Sequence, residues 1–110
     1  MKRGEVRWYK FSNPDKKRPV VILTRNSAIG YLGEVTIAPI TSTIRDIPSE
    51  VLLTQEDGMK HDCAINRDHI QTVSKGKIGA LITKLNSIKL KQLQRALNFA
   101  MGFNEEIEDE

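Results

Sequence analysis

The chain has a single cysteine, Cys63, two histidines and few aromatic residues among its 110 positions, and it has no long apolar run. One thiol cannot close an intramolecular disulfide, and without paired cysteines or a His-x-x-x-His spacing the usual zinc ligand sets are missing. No segment approaches the ~18 consecutive apolar residues that a membrane-crossing helix needs. The charged start, Met1-Lys2-Arg3-Gly4-Glu5, is followed by only a short apolar stretch, so the chain reads as soluble, cytoplasmic and not exported. A glycine-rich phosphate loop is lacking too, because Gly76 to Gly79 has the spacing of neither a Walker nor a dinucleotide motif. Metal, nucleotide and membrane chemistry are thereby set aside, and neither a metal nor a cofactor is expected.

What is present is positive charge, unevenly placed. The net charge is +3, yet all 17 Lys and Arg lie between Lys2 and Arg95, whereas five of the 14 acids fall in the last six residues. Residues 1–103 therefore carry 17 cationic against 9 acidic side chains, a net +8. Such a body points to a polyanionic partner, and the segment Glu105-Glu106-Ile107-Glu108-Asp109-Glu110 is either a solvated tail or one that folds back on the basic surface. With 39% hydrophobic residues, a chain of this length supports one compact domain, which buries somewhat under ~70% of its unfolded surface. We place that domain over residues 1–103 and a disordered acidic tail over 104–110.

Strands come first and one helix last. Glu5 to Phe11 alternates apolar and charged residues, and Arg18 to Thr24 is a β-branched run preceded by the turn signal Asn13-Pro14-Asp15. Residues 32–40 form a third candidate, Glu50-Val51-Leu52-Leu53 a fourth, and residues 62–67 and 69–74 two short ones. Spacings this short rule out βαβ crossovers and favour a mainly β fold, a small antiparallel barrel. From Ser87, a good N-cap residue, Leu90, Leu93, Leu97, Ala100 and Met101 recur at helical steps as far as Gly102, predicting an amphipathic helix whose Lys89, Lys91, Gln94 and Arg95 face is solvated.

Two strand ends carry the chemistry: Lys16-Lys17-Arg18-Pro19 leads into Val20-Val21-Ile22-Leu23, and Ala38-Pro39-Ile40 leads out into Thr41-Ser42-Thr43. Side chains at the ends of buried strands are held in place, and a cation beside hydroxyls is a candidate phosphate site. RNA brings its own nucleophile, the 2′-hydroxyl, so a protein need only orient the backbone, neutralise charge on the phosphorus oxygens and move protons. Arg18 and Thr41 suit that role; alternatively, Arg18 is a solvated loop cation and Thr41 caps a turn. Cys63 between His61 and His69 could form a thiolate nucleophile, but in a sheet-like run it reads rather as a small half-buried residue.

These strings resemble the MazF/PemK (Kid) family of toxin endoribonucleases. Arg3-Gly4-Glu5-Val6, the Arg18-Pro19 and Ala38-Pro39-Ile40-Thr41-Ser42 strands, Ile47-Pro48-Ser49-Glu50-Val51, Asp62-Cys63-Ala64-Ile65, Ile70-Gln71-Thr72-Val73 and the closing Leu-rich helix occur in the family's order over residues 3–102. The resemblance implies an SH3-like barrel with a C-terminal amphipathic helix, a homodimer, and metal-independent, sequence-specific cleavage of single-stranded RNA. It implies that Arg18 stabilises the charge on phosphorus and helps the 5′-oxygen leave, while Thr41 hydrogen-bonds the scissile phosphate. Lys16, Lys17, Ser42, Arg45, Arg67 and His69 become RNA-binding candidates. Relatives often carry a longer Gly-rich loop with an acid before the Arg-Pro pair; here Ser12 to Lys17 is shorter, and Asp15 is the candidate general base. The family also implies a cognate antitoxin whose acidic, disordered segment lies across the RNA groove. Two other readings are a CcdB-like toxin that binds a topoisomerase and an SH3-like nucleic-acid-binding module without catalysis.

Overall fold

The structure is a computed structural model that describes residues 1–11, 16–47 and 50–102. Asp15 and the acidic segment 104–110 lie outside the described residues. In chain order the elements are β1 (Glu5–Phe11), β2 (Lys16–Ile22), a single-turn helix α1 (Asn26–Ile29), β3 (Glu34–Thr41), β4 (Val51–Leu53), β5 (Cys63–Ile65), β6 (Gln71–Ser74), β7 (Ile78–Lys84) and α2 (Ser87–Met101). Short 3-10 turns cover Gln55–Asp57, Arg67–His69 and Lys75–Lys77.

The strands form one antiparallel sheet in the order β4-β5-β3-β2-β1-β7, with β6 on the N-terminal half of β3. It is a curled half-barrel, because the hydrogen-bonded path ends on β4 and β7 without joining them. The β-branched run of β2 is buried on both faces. Val21 enters one core cluster with Val6, Ala38, Ile40, Leu53, Ile65 and the helix residues Leu93 and Ala96. Val20 and Ile22 enter the other, with Tyr9, Ile29, Val35, Ile37 and Val73. Each fully buried Ile or Leu here, such as Ile22, Ile37, Leu53 and Ile65, contributes about 1.5–3 kcal/mol through removal from water.

Several expectations shift by a residue or more. The second strand begins at Lys16 and stops at Ile22, so the basic residues expected in a loop belong to the strand. His69 closes a 3-10 turn and is not a strand residue. Strand β7 carries no legible sequence signal, since its residues are mostly exposed or half-buried without a period. The N-cap of α2 is Asn86, whose side chain accepts from the Lys89 N–H at 2.9 Å, and Ser87 is the first helical residue. The helix ends as expected on Gly102, at φ 69°, where a left-handed residue closes the last turn. Its buried seam runs through Leu90, Leu93, Ala96 and Leu97; Ala100 and Met101 are exposed. Lys89 is not simply solvated, because its Nζ donates to the Leu52 carbonyl at 2.6 Å and lies 3.7 Å from Asp57 Oδ2, tying the helix to β4.

Candidate active site

The site lies where β2 and β3 part. Their ladder pairs Ile22 with Ile37, Val21 with Ala38 and Val20 with Pro39, and goes no further. Proline has no N–H to give a ladder, and here Pro19 and Pro39 both stand at the point where pairing stops. On the other edge of β3, Pro39 falls in the gap between β6, which ends its pairing at Ile37, and β5, which begins at Ile40. Continuing the register by two residues sets Arg18 opposite Thr41. Strand alternation then puts Arg18 on the face of Val20 and Thr41 on the face of Ile37, which is the same side of the sheet. The separating strands frame a hollow of about 420 Å³ lined by Lys16, Arg18, Thr41, Asn66, His69 and Gln71, with Phe11, Pro39 and Ile40 as its apolar part.

The chemical state of each group suits an anion. Arg18 is exposed, and among the described residues nothing forms an ion pair or hydrogen bond with it, so its guanidinium fork is free. Thr41 does cap a turn: its Oγ1 accepts from the Thr43 N–H at 3.1 Å. That bond uses a lone pair and leaves the hydroxyl hydrogen to donate elsewhere. Asn66 is held between the β3 end and the 3-10 turn, its N–H donating to the Pro39 carbonyl at 2.8 Å and its Oδ1 accepting from the Asp68 N–H at 3.3 Å. The Asn66 NH₂ group therefore remains a donor for the hollow. Phe11 is braced edge-on by Tyr9, ring centroids 4.7 Å apart and planes at 81°, which gives the hollow a fixed aromatic side.

A second, smaller hollow of about 150 Å³ adjoins the first and shares Thr41 and Asn66 with it. It gathers Thr43, Arg45, Glu50, Arg67 and Asp68. The expected residues thus divide: Lys16, Arg18, Thr41 and His69 meet in the larger hollow, and Arg45 and Arg67 in the smaller. Lys17 alternates to the other face of β2, where it pairs with Lys10, and Ser42 lines neither hollow. Sequence reasoning missed Asn66, Gln71, Phe11 and Glu50 as parts of this region. A polar residue directly after an apolar strand, as Asn66 follows Ile65, was the signal available for one of them.

Cys63 is a core residue and not merely half-buried, its Sγ 3.8 Å from the Leu53 carbonyl. Burial pushes its thiol above the ordinary value, and the negative charges of Asp62 and Asp57 push the same way, so it is a poor nucleophile. Among the described residues no three His, Cys, Asp or Glu side chains converge as metal ligands. A larger hollow, about 610 Å³, lies between Leu97, Met101, Arg3 and Arg25, but several of its polar groups are spent on the fold. Arg3 Nε donates to the Leu23 carbonyl, Thr24 Oγ1 accepts from the Thr36 N–H, and the Thr36 and Thr72 hydroxyls bond each other.

The chain is similar to known proteins along nearly all of this architecture. A family model described as PemK-like, MazF-like toxin of type II toxin-antitoxin system matches residues 2–101. The protein named Endoribonuclease MazF3 of Mycobacterium tuberculosis is 35% identical over 90 residues, which is 82% of this chain and 87% of that protein. Among solved structures, the Mycobacterium tuberculosis toxin MazF-mt6 superimposes with a TM-score of 0.81 at 31% identity, covering 89% of this chain and 96% of the other. An endoribonuclease in complex with its cognate antitoxin, from a mycobacterial species, gives 0.82 over 93% of this chain and 95% of the other, at 24% identity.

Proposed function

We propose that this chain, which belongs to the PemK-like, MazF-like toxin family of type II toxin-antitoxin systems, is the toxin of such a pair and an endoribonuclease that cuts single-stranded RNA at the hollow between β2 and β3. The observation that carries the reading is the juxtaposition of a free guanidinium, Arg18, with a hydroxyl, Thr41, whose hydrogen is unspent, on one face of two parting strands. In the proposed step the 2′-hydroxyl oxygen of a nucleotide bonds to its own 3′-phosphorus and the bond from phosphorus to the 5′-oxygen breaks. The products are a 2′,3′-cyclic phosphate and a 5′-hydroxyl. The 2′ proton passes to a base, for which Asp15 is the candidate, and the 5′-oxygen takes up a proton as it leaves.

Arg18 donates to the phosphoryl oxygens as charge builds and to the departing 5′-oxygen, because its planar fork presents parallel N–H groups to a phosphate. Thr41 and the Asn66 amide donate to the same oxygens from the β3 side, as preorganised dipoles that need no reorientation during the reaction. Lys16, Lys17, Ser42, Arg45, Arg67 and His69 are the proposed RNA contacts, and Phe11 offers a face for a base to stack on. We further propose one MazF-like domain over residues 1–103, a homodimer, a cytoplasmic location, and inhibition by an antitoxin segment whose acids compete with RNA for these cations.

Incubation of the purified protein with a long RNA in excess chelator tests the proposal. Fragments with cyclic-phosphate ends at a short recurrent sequence are expected, and Arg18→Ala should give none. Intact RNA that still binds would overturn the reading in favour of a binding module, and intact RNA together with topoisomerase inhibition would favour a CcdB-like toxin. Sequencing the 5′ ends of the fragments gives the cleavage motif.

A further inference from the structure

The smaller hollow holds two features that the fold alone does not require. The side chain of Arg67, at the start of the 3-10 turn, is only 10% exposed; its Nη1 pairs with Asp68 Oδ2 at 2.6 Å, and its Nε is buried and has no hydrogen-bond partner among the described residues. A buried donor on a charged group is costly to leave unpaired, so a partner from outside has an energetic opening. Arg45, which lines the same hollow, leads a loop in which Asp46 adopts φ 53°, the left-handed region, without being glycine. The loop is pinned there by Glu50, whose carboxylate accepts from the Arg45 N–H at 3.1 Å and from the Asp46 N–H at 3.0 Å. Glu50 is thus spent on backbone donors, and Arg45 is among the residues that line the hollow. Asp68, by contrast, is 55% exposed and can turn to solvent.

We infer that this hollow is a second phosphodiester subsite, which takes the RNA backbone phosphate next to the scissile one, with Arg67 and Arg45 as its cations. The inference rests on the reading of the larger hollow as the cleavage site. Size favours a phosphate over a base, since about 150 Å³ holds roughly five waters at ~30 Å³ each. Continuity favours a neighbouring group of the same strand, since Thr41 and Asn66 line both hollows. On binding, the phosphate gives the Nε its missing acceptor and takes a second hydrogen bond from the adjacent Nη2, the side-on fork that arginine offers a phosphate, while Asp68 stays on Nη1. Asp68 is then a like charge beside the bound phosphate, which opposes its binding.

The test uses the full chain and a single-stranded RNA carrying the mapped cleavage motif, made uncleavable by a 2′-deoxy sugar at the scissile position. Each neighbouring phosphate is replaced in turn by a neutral methylphosphonate. One adjacent position is expected to weaken wild-type binding about tenfold, the scale of a single charged hydrogen bond. Arg67→Gln should show the same loss on unmodified RNA, with a salt slope shallower by about 0.7, the share of one single-strand phosphate contact. It should lose nothing further when the methylphosphonate sits at that position. Asp68→Asn should tighten binding of unmodified RNA and leave the RNA with that methylphosphonate unchanged.

No sensitive adjacent position, losses from Arg67→Gln and the methylphosphonate that multiply independently, or equal tightening of both RNAs by Asp68→Asn would each overturn the subsite. If circular dichroism shows Arg67→Gln unfolded, the Asp68→Asn arm decides alone. Failure here is separable from failure of the cleavage reading: cutting by Arg18→Ala removes both, whereas an inactive Arg18→Ala with independent losses removes only the subsite.

Discussion

Replacing Thr41 by valine and, separately, by serine isolates what its hydroxyl does. Valine keeps the shape and β-branching that suit a strand end but deletes both roles of Oγ1, as acceptor for the Thr43 N–H at 3.1 Å and as donor into the hollow. Thr43 is exposed, so water replaces the lost acceptor and stability should fall by only about 0.5–1 kcal/mol. That is a few degrees in melting temperature for a domain of this size, roughly 2–6 °C. The loss in catalysis should be far larger. One preorganised donor to an oxygen that gains charge in the transition state is worth about 10²–10³ in rate. Serine retains the donor and the acceptor and should stay within about tenfold of wild type, its cost being the freer rotamer.

The assay is single-turnover cleavage of an RNA carrying the mapped motif, with protein in excess, well below the melting temperature. Folded Thr41→Val that cuts within tenfold of wild type would refute the assignment, and so would serine and valine variants equally impaired. If Thr41 and Arg18 serve the same transition state, combining Thr41→Val with Arg18→Ala should cost less than the product of the single losses.

Arg18→Lys keeps the charge but loses the planar fork, and cleavage should fall at least ~100-fold with RNA binding nearly intact, measured by separate titration and rate experiments. At Glu5, burial pushes the carboxyl up, but the hydrogen bond from Arg7 at 2.7 Å, a backbone hydrogen bond at Lys2 and the positive charges of Arg7 and the amino terminus outweigh it and hold the carboxyl below the ordinary value. Its contribution to stability is therefore present above the ordinary glutamate value, about pH 4.3, and is lost as pH falls through the lower folded value. Glu5→Gln should melt below wild type at pH 7, with the gap narrowing in acid; a constant gap would contradict this. Gly58 sits at φ 96°, and an added Cβ would clash with the Thr83 side chain, so Gly58→Ala should cost at least about 2 kcal/mol in denaturant unfolding, from left-handed strain and displacement of Thr83.

Much of the fold was legible because its signals are local. The alternation of Glu5 to Phe11, the run Val20-Val21-Ile22 and the leucine spacing ending on Gly102 each follow from which residues suit a pleated or a helical face. Strand β7 was not legible, because it is stitched to β1 alone and buries little. Its position depends on non-local contacts such as Gly79 against the Trp8 backbone, where an added Cβ would lie 3.2 Å from the carbonyl oxygen. The short turn Arg67–His69 was likewise hidden, since the Asn66 cap that starts it resembles any polar residue after a strand.

By itself the sequence determined the class of fold, the excess of cations over residues 1–103 and the two proline-marked strand ends that carry Arg18 and Thr41. Only the tertiary structure decided which residues meet. Side chains alternate with a period of two, so one step of register sends a whole strand's chemistry to the opposite face. That is why Lys16 shares a hollow with Arg18 and Thr41 while Lys17 does not; Asn66 joins them because the pairing of β5 with β3 brings the residue just past β5 to the end of β3.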